Sequence, residues 1–222
     1  MTFRLVTNNR GLAQSGDVDG LRYLVDNADV LCLQEARAGT GAGWRLDVSM
    51  ILNSFGTEWA VLQDLTDQGM SETAIAWRKD LFTPGAAGRD LLVEHGKRSI
   101  TDHYITWVLL TEKVSGDNVV LASLQIPSSD FKSLWPAAKH GLQDWAAQHE
   151  RFIAAGDWGM DLTGDPLQFA RGVDGTIQSV GLDGFLYRGV GVAVTVPDSL
   201  SATLANSPRT PIRTNVTLTG RL

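Results

Sequence analysis

The sequence predicts an α/β protein built from two packed sheets with helices on the outer faces. Three observations lead there. Short apolar strands alternate with a few helical stretches in the first half, and strand follows strand in the second. Several strands run straight into polar side chains, the layout in which α/β proteins place chemistry at strand ends. The chain has 222 residues without a repeat, a low-complexity tract or a dividing linker, so one domain spanning 1–222 is expected.

Each element has a local reason. Phe3 to Thr7 reads as a first strand. Asp17 can cap a helix that places Leu21, Leu24 and Val25 on one face. Val30 to Leu33 is a short apolar run of buried-strand type, ending in Gln34-Glu35. Trp44, Val48, Ile51, Leu52 and Phe55 have helical spacing. Trp59 to Leu62 and Thr73 to Trp77 read as strands. Tyr104 to Leu110 is rich in β-branched and aromatic residues, and Val119 to Leu124 follows the turn signal Ser115-Gly116-Asp117-Asn118. A helix is expected from Ser129 to His149, with a break or a new first turn at Pro136. Phe152 to Ala155, Thr176 to Val180, Gly184 to Tyr187, Val190 to Val196 and Thr214 to Leu218 complete the strands.

Composition narrows the function. Net charge is −6, which disfavours a general nucleic-acid coat, since phosphate binding rests on Lys and Arg. Arg outnumbers Lys, fourteen to five, a bias of GC-rich genomes such as an actinobacterium's or its phage's. The single cysteine, Cys32, lies in an apolar run and reads as a buried structural thiol. Arg4 and Asn8 to Arg10 interrupt any apolar leader, and no stretch reaches membrane-spanning length. The expectation is a soluble, intracellular, cytoplasmic protein without a membrane partner, or a component of a viral particle.

Three strand ends carry the candidate chemistry: LVTNNRG with Asn9, DVLCLQEAR with Glu35, and FIAAGDWGMD with Asp157. Taken singly, Glu35 is a surface carboxylate, Asn9 a turn residue beside Gly11, and Asp157 a cap for the turn into Asp161 and Leu162. Taken in order with Leu182-Asp183-Gly184-Phe185-Leu186 and Ser207-Pro208-Arg209-Thr210-Pro211-Ile212, the set resembles the endonuclease/exonuclease/phosphatase (DNase I-like) superfamily. That resemblance implies a four-layer α/β sandwich, two packed mixed β-sheets flanked by helices, with a metal-dependent phosphodiesterase or phosphatase site at one end. It places Asn9, Asp157 and Asp183 at catalytic positions and Glu35 at the position of a metal ligand.

The resemblance is damaged at defined positions. Gln125 stands where the family has a histidine, Gly159 where it has an asparagine, Pro208 where it has an aspartate, and Arg209 where it has the final histidine. Residues of one catalytic set act as a unit, so these losses imply a degenerate member, a pseudoenzyme with activity lost or severely reduced. The cofactor expected is none, or weakly bound magnesium at Glu35. The retained fold would serve as a binding or assembly module with an unidentified protein partner. The alternatives are a weak divergent metal-dependent nuclease or phosphatase, with Arg209 as a substitute phosphate ligand, and a structural subunit of a larger particle.

Other polar and aromatic residues have plainer readings. His140 and His149 are expected to be solvated, and His103 to hydrogen-bond near Asp102. The tryptophans are expected in the core except Trp158, at the site rim. Asp183 and Arg209 are expected to form a direct ion pair that plugs the old phosphate pocket.

Overall fold

Alternation along each strand decides the architecture. In strand β1 (Thr2–Asn9), Phe3 and Leu5 enter a core shared by two sheets, whereas Val6 packs against Leu21, Leu24 and Val25 of helix α1 (Val18–Asn27). Strand β2 (Val30–Gln34) is buried throughout because both of its faces are covered. Val30 and Cys32 enter the inter-sheet core, and Leu31 and Leu33 pack on the α1 side. The computed structural model describes residues 1–9, 18–35, 52, 54–56, 58–63, 73–94, 102–159, 172–200 and 209–220. Asp17, His95, Asp161, Leu162 and Pro208, and most of the helix expected over Trp44 to Phe55, lie outside the described residues.

Among those residues the first sheet holds β1, β2, β3 (Trp59–Gln63), β4 (Thr73–Arg78), β11 (Val192–Val194), β12 (Asp198–Ser199) and β13 (Ile212–Leu218). Their order is β11-β13-β1-β2-β4-β3, with β12 also paired to β13. The second sheet holds β5 (Phe82–Val93), β6 (His103–Glu112), β7 (Asn118–Gln125), β8 (Phe152–Asp157), β9 (Thr176–Val180) and β10 (Asp183–Arg188). Its order is β5-β6-β7-β8-β10-β9. β1 pairs parallel to β2 and β7 parallel to β8, while the remaining pairs are antiparallel, so both sheets are mixed. Helix α2 (Trp135–Ala147) covers the outer face of the second sheet with Ala138, Leu142, Trp145 and Ala146. The order of layers is helix, sheet, sheet, helix, as the sequence predicts.

Several details differ from the sequence reading. The stretch Ser129 to His149 is a 3-10 helix, Ser129–Leu134, followed by α2, whose first turn holds Pro136 where its missing N–H costs nothing. β5 was not foreseen, because Pro84, Gly85 and Gly88 read against a strand. It lies at a sheet edge, where proline is tolerated, and its register shifts between Pro84 and Ala87. The strand expected over Val190 to Val196 shrinks to β11. His149 is half-buried rather than fully solvated: its ring packs 4.8 Å from the Trp107 ring and 4.9 Å from that of Trp145. Burial pushes its pKa down. Trp158 is wholly buried on the helix side and does not line the rim. Cys32 is buried, its thiol pKa raised by burial, and Sγ donates to the Ala122 carbonyl at 3.7 Å. Among the described residues no helix is long and apolar enough to cross a membrane.

Candidate functional site

The inter-sheet core is apolar for most of its length and becomes polar at one end. The change falls on the last inward-facing positions of β1, β2, β7 and β8 and the first of β10. On β1 the inward series is Phe3, Leu5, Thr7, Asn9; on β8 it is Ile153, Ala155, Asp157. On β7 it is Val119, Leu121, Ser123, Gln125, and β10 contributes Asp183 before Phe185. Strand periodicity therefore delivers Asn9, Gln125, Asp157 and Asp183 to one place.

Glu35 arrives differently. Simple alternation would send it to the α1 side, because Gln34 already faces inward. Its backbone takes φ +47°, which breaks the pleat and brings the carboxylate back. Glu35 Oε1 accepts from Gln125 Nε2 at 2.6 Å and from Asn9 Nδ2 at 3.0 Å. Asn9 Nδ2 also donates to Asp157 Oδ2 at 2.8 Å. Asp157 Oδ1 accepts from the Gly159 N–H and from Arg209 Nη1, each at 2.8 Å. The result is one chain of contacts, Gln125–Glu35–Asn9–Asp157–Arg209, across both sheets.

The expected direct bond between Arg209 and Asp183 is replaced by one to Asp157. Arg209 hydrogen-bonds Asp157, and its Nη1 stands 3.9 Å from Asp183 Oδ2, an ion pair without a direct hydrogen bond. The reason is reach. The Arg209 backbone is held by Asn8 Nδ2, which donates to its carbonyl at 3.2 Å, on the side of the first sheet. Asp157 belongs to β8, whose neighbour β10 carries Asp183 one strand further on.

Burial governs the electrostatics. Asp157 has its pKa raised by desolvation, opposed by Arg209, the Gly159 N–H and Asn9. Asp183 is pushed up to about 7 by burial and by the Asp157 charge, with Arg209 opposing. Asp183 Oδ1 and Gln125 Oε1 are buried without a hydrogen-bond partner among the described residues.

A polar layer below the cluster escaped the sequence reading. Thr7 Oγ1 donates to Gln34 Oε1 at 3.2 Å, Gln34 Nε2 donates to Ser123 Oγ at 3.0 Å, and Ser123 Oγ donates to the Leu33 carbonyl at 3.1 Å. Thr73 and Thr106 pair at 2.7 Å beside them. These bonds join the two sheets directly under Glu35 and Asn9. The signal was available: Thr7, Gln34 and Ser123 are polar at inward positions of otherwise apolar strands.

The glycine at 159 is more than a deleted side chain. Gly159 has φ +64°, and a Cβ there would lie 2.3 Å from the Pro127 carbonyl oxygen and 2.7 Å from that of Ile126. An asparagine cannot be placed on this backbone as it stands.

The cluster also bears on metal binding. Glu35 is the one carboxylate at the position the family resemblance gives to a metal ligand, and its Oε1 already accepts two N–H groups. Asn9 presents its NH2 group to both carboxylates. Among the described residues no group of three His, Cys, Asp or Glu side chains is placed to hold an ion. A magnesium ion held by one carboxylate keeps most of its waters and binds weakly.

No protein-family model matches the sequence, and no curated protein sequence matches it. Solved structures match over nearly the whole chain. An endonuclease/exonuclease/phosphatase family protein from Bacteroides thetaiotaomicron superposes with a TM-score of 0.76 at 13% identity, covering 99% of this chain and 98% of its own. The human Nocturnin catalytic domain with bound sulfate gives 0.72 at 16% identity, with 98% and 94% covered. ANGEL2, a 2',3'-cyclic phosphatase, in complex with adenosine-2',3'-vanadate, gives 0.70 at 11% identity, with 98% and 96% covered. At these identities the likeness is one of architecture, and the chain has the fold of the endonuclease/exonuclease/phosphatase, DNase I-like, proteins.

Proposed function

We propose that the chain is a non-hydrolytic member of the endonuclease/exonuclease/phosphatase superfamily, retained as a binding or assembly module inside the cell. The observation that carries this reading is the self-occupied cluster. Gln125, Asn9, the Gly159 N–H and Arg209 already donate to the two carboxylates that metal-dependent phosphoryl transfer would use, Glu35 and Asp157. Phosphoryl transfer depends on groups poised to stabilise charge on the substrate. Here the cationic donor, Arg209, is spent on an internal acid, and Gln125 has no proton to give a leaving group.

A second reading has one observation in its favour: Asn9, Glu35 and Asp157 converge within hydrogen-bond reach, as a weak metal-dependent phosphoesterase would require. One assay separates the two. The purified chain is incubated with supercoiled plasmid, single-stranded RNA and a chromogenic phosphomonoester, with magnesium or manganese. The expected result is no turnover above a Glu35→Gln, Asp157→Asn control. Loss of one charge-stabilising group commonly costs about 10² to 10³ in rate, and here two family histidines are replaced. Cleavage that disappears in the control would establish the weak-enzyme reading instead.

A further inference from the structure

The connection between α2 and β8 holds a histidine that the strand-end cluster does not use. Helix α2 ends at Ala147, and His149 follows outside it. Its ring lies between two indoles, 4.8 Å from that of Trp107 and 4.9 Å from that of Trp145, tilted by 58° and 52°. Among the described residues neither ring nitrogen has a hydrogen-bond partner, so packing alone holds the ring. The indoles are fixed from behind. Trp107 Nε1 donates to Asp90 Oδ2 at 2.6 Å, and its ring lies so close to Gly88 that a Cβ there would stand 2.8 Å from it. Trp145 is buried and meets the Phe152 ring edge-on at 5.0 Å. His149, half-buried and next to exposed Glu150, is the member of the stack with a path to water.

Charge decides which form the ring takes there. A histidine at the end of a helix is ordinarily favoured as the cation, because the last carbonyls carry partial negative charge. Here that place is filled: Arg188 Nη2 donates to the Ala146 and His149 carbonyls, and Nη1 to that of Val173. From β5 Asp90 favours the imidazolium, from β10 Arg188 opposes it, and β6 and α2 present the uncharged indoles. Burial, the largest influence, together with Arg188 outweighs Asp90, so His149 takes its proton below the ordinary 6.5. We infer that His149 is an acid-released latch, its neutral ring seated between Trp107 and Trp145 and its imidazolium turned out to water, leaving an indole face of Trp107 open. The backbone does not follow, because Arg188 keeps hold of the His149 carbonyl. Attraction of the imidazolium to the indoles opposes release, and rehydration of a half-buried cation favours it. The latch stands whether or not the strand-end cluster hydrolyses a substrate.

The test is an NMR titration of the full-length protein, labelled with ¹³C-histidine, from pH 8 to 4. The His149 signal is identified by its loss in His149→Gln. At the alkaline end its Cε1–H resonance is expected to be displaced from that of exposed His140 by the ring currents of the two indoles. As pH falls it should titrate with a midpoint below 6.5 and move to the position of protonated His140. Asp90→Asn, which keeps an acceptor for Trp107 Nε1, should lower the midpoint further, since the charge favouring the imidazolium is gone. Photochemically induced nuclear polarisation, which reads solvent-accessible indoles, should gain a tryptophan signal with the same midpoint, absent from Trp107→Phe. A ring-current displacement that persists through protonation overturns the inference, because the imidazolium then stays seated beside Asp90. So does a midpoint at or above 6.5, or an unchanged indole signal. Where acid loosens the whole fold, thermal melts decide. The advantage of wild type over His149→Gln must shrink as pH falls through the midpoint, and a constant advantage counts equally against the latch.

Discussion

Strand β8 has an arginine guanidinium near each of its ends, one buried and one half-buried, and the two are held in opposite ways. Arg151, just before its start, is 2% exposed and donates to the carbonyls of Gly220, Gly191 and Thr219. Those carbonyls lie just before β11 and just after β13 of the first sheet, so Arg151 ties β8 to that sheet through backbone. At the other end the Arg209 guanidinium faces the carboxylates of Asp157 and Asp183, in the contacts described above. Backbone carbonyls cannot change charge, whereas carboxylates can take a proton or exchange one cation for another. The first end is built to stay closed. The second sets titratable carboxylates against a guanidinium.

That contrast predicts unequal costs. Arg151→Met removes a charged donor from the Gly220, Gly191 and Thr219 carbonyls, of which Gly191 keeps the Thr219 N–H, and at about 1.5–3 kcal/mol for a hydrogen bond to a charged group the loss should reach about 3–5 kcal/mol. Arg209→Met should cost less, about 1–3 kcal/mol, because the abandoned acids can bind a proton and Arg209 is partly solvated. Urea unfolding of both variants at neutral pH measures the difference. Equal losses would erase the distinction between the two ends.

The second way to sharpen it is pH. The folded pKa of Asp183, about 7, lies above the ordinary 3.8, so the folded state holds a proton that the unfolded chain releases. Stability from this group is fully present below about 3.8 and is lost as pH rises towards 7; the whole offset corresponds to about 4 kcal/mol. His149 works in the opposite sense, since its lowered pKa makes the fold lose stability as pH falls below the ordinary 6.5. The difference between wild type and Asp183→Asn isolates the carboxyl. Thermal melts from pH 4 to 8 should show wild type losing stability relative to Asp183→Asn as pH rises. Parallel profiles would mean that Asp183 is ionised throughout.

Much of this was legible from strand ends. Period-two alternation and motif order together place Asn9, Gln125, Asp157 and Asp183 on one rim. The same alternation, carried one residue further, would have placed Trp158 correctly: if Asp157 faces the inter-sheet core, Trp158 must face the helix layer. Other features were beyond that reasoning. Glu35 reaches the cluster through a positive φ that nothing in Gln34-Glu35-Ala36 announces. β5 carries proline and glycine because it is an edge strand, a fact of tertiary arrangement. The choice of Asp157 over Asp183 by Arg209 depends on one strand's width of reach, which motif order does not resolve.

The smallest expected effect concerns Gly159, the position where the resembled family has an asparagine. Introducing that asparagine would seem to require only Gly159→Asn. The structure argues otherwise. Gly159 adopts φ +64°, which a side chain strains, although asparagine tolerates that region better than most residues. The larger obstacle is space: a Cβ would meet the Pro127 oxygen at 2.3 Å and the Ile126 oxygen at 2.7 Å, both backbone atoms that cannot swing aside. The Gly159 N–H also donates to Asp157 Oδ1, so a shift of this turn would loosen the carboxylate that Arg209 holds. Overpacking of this kind costs about 1–3 kcal/mol. Gly159→Asn should therefore lower stability by that amount, measured by urea unfolding, and should yield no hydrolysis even alongside Gln125→His and Arg209→His. Gly159→Ala is the control, because it adds the same Cβ without the amide and should lose a similar amount. If Gly159→Asn proved neutral while Gly159→Ala destabilised, the asparagine amide would have found the partners it has in an active site. The rim would then be a working arrangement short of its histidines, not a joint that has closed.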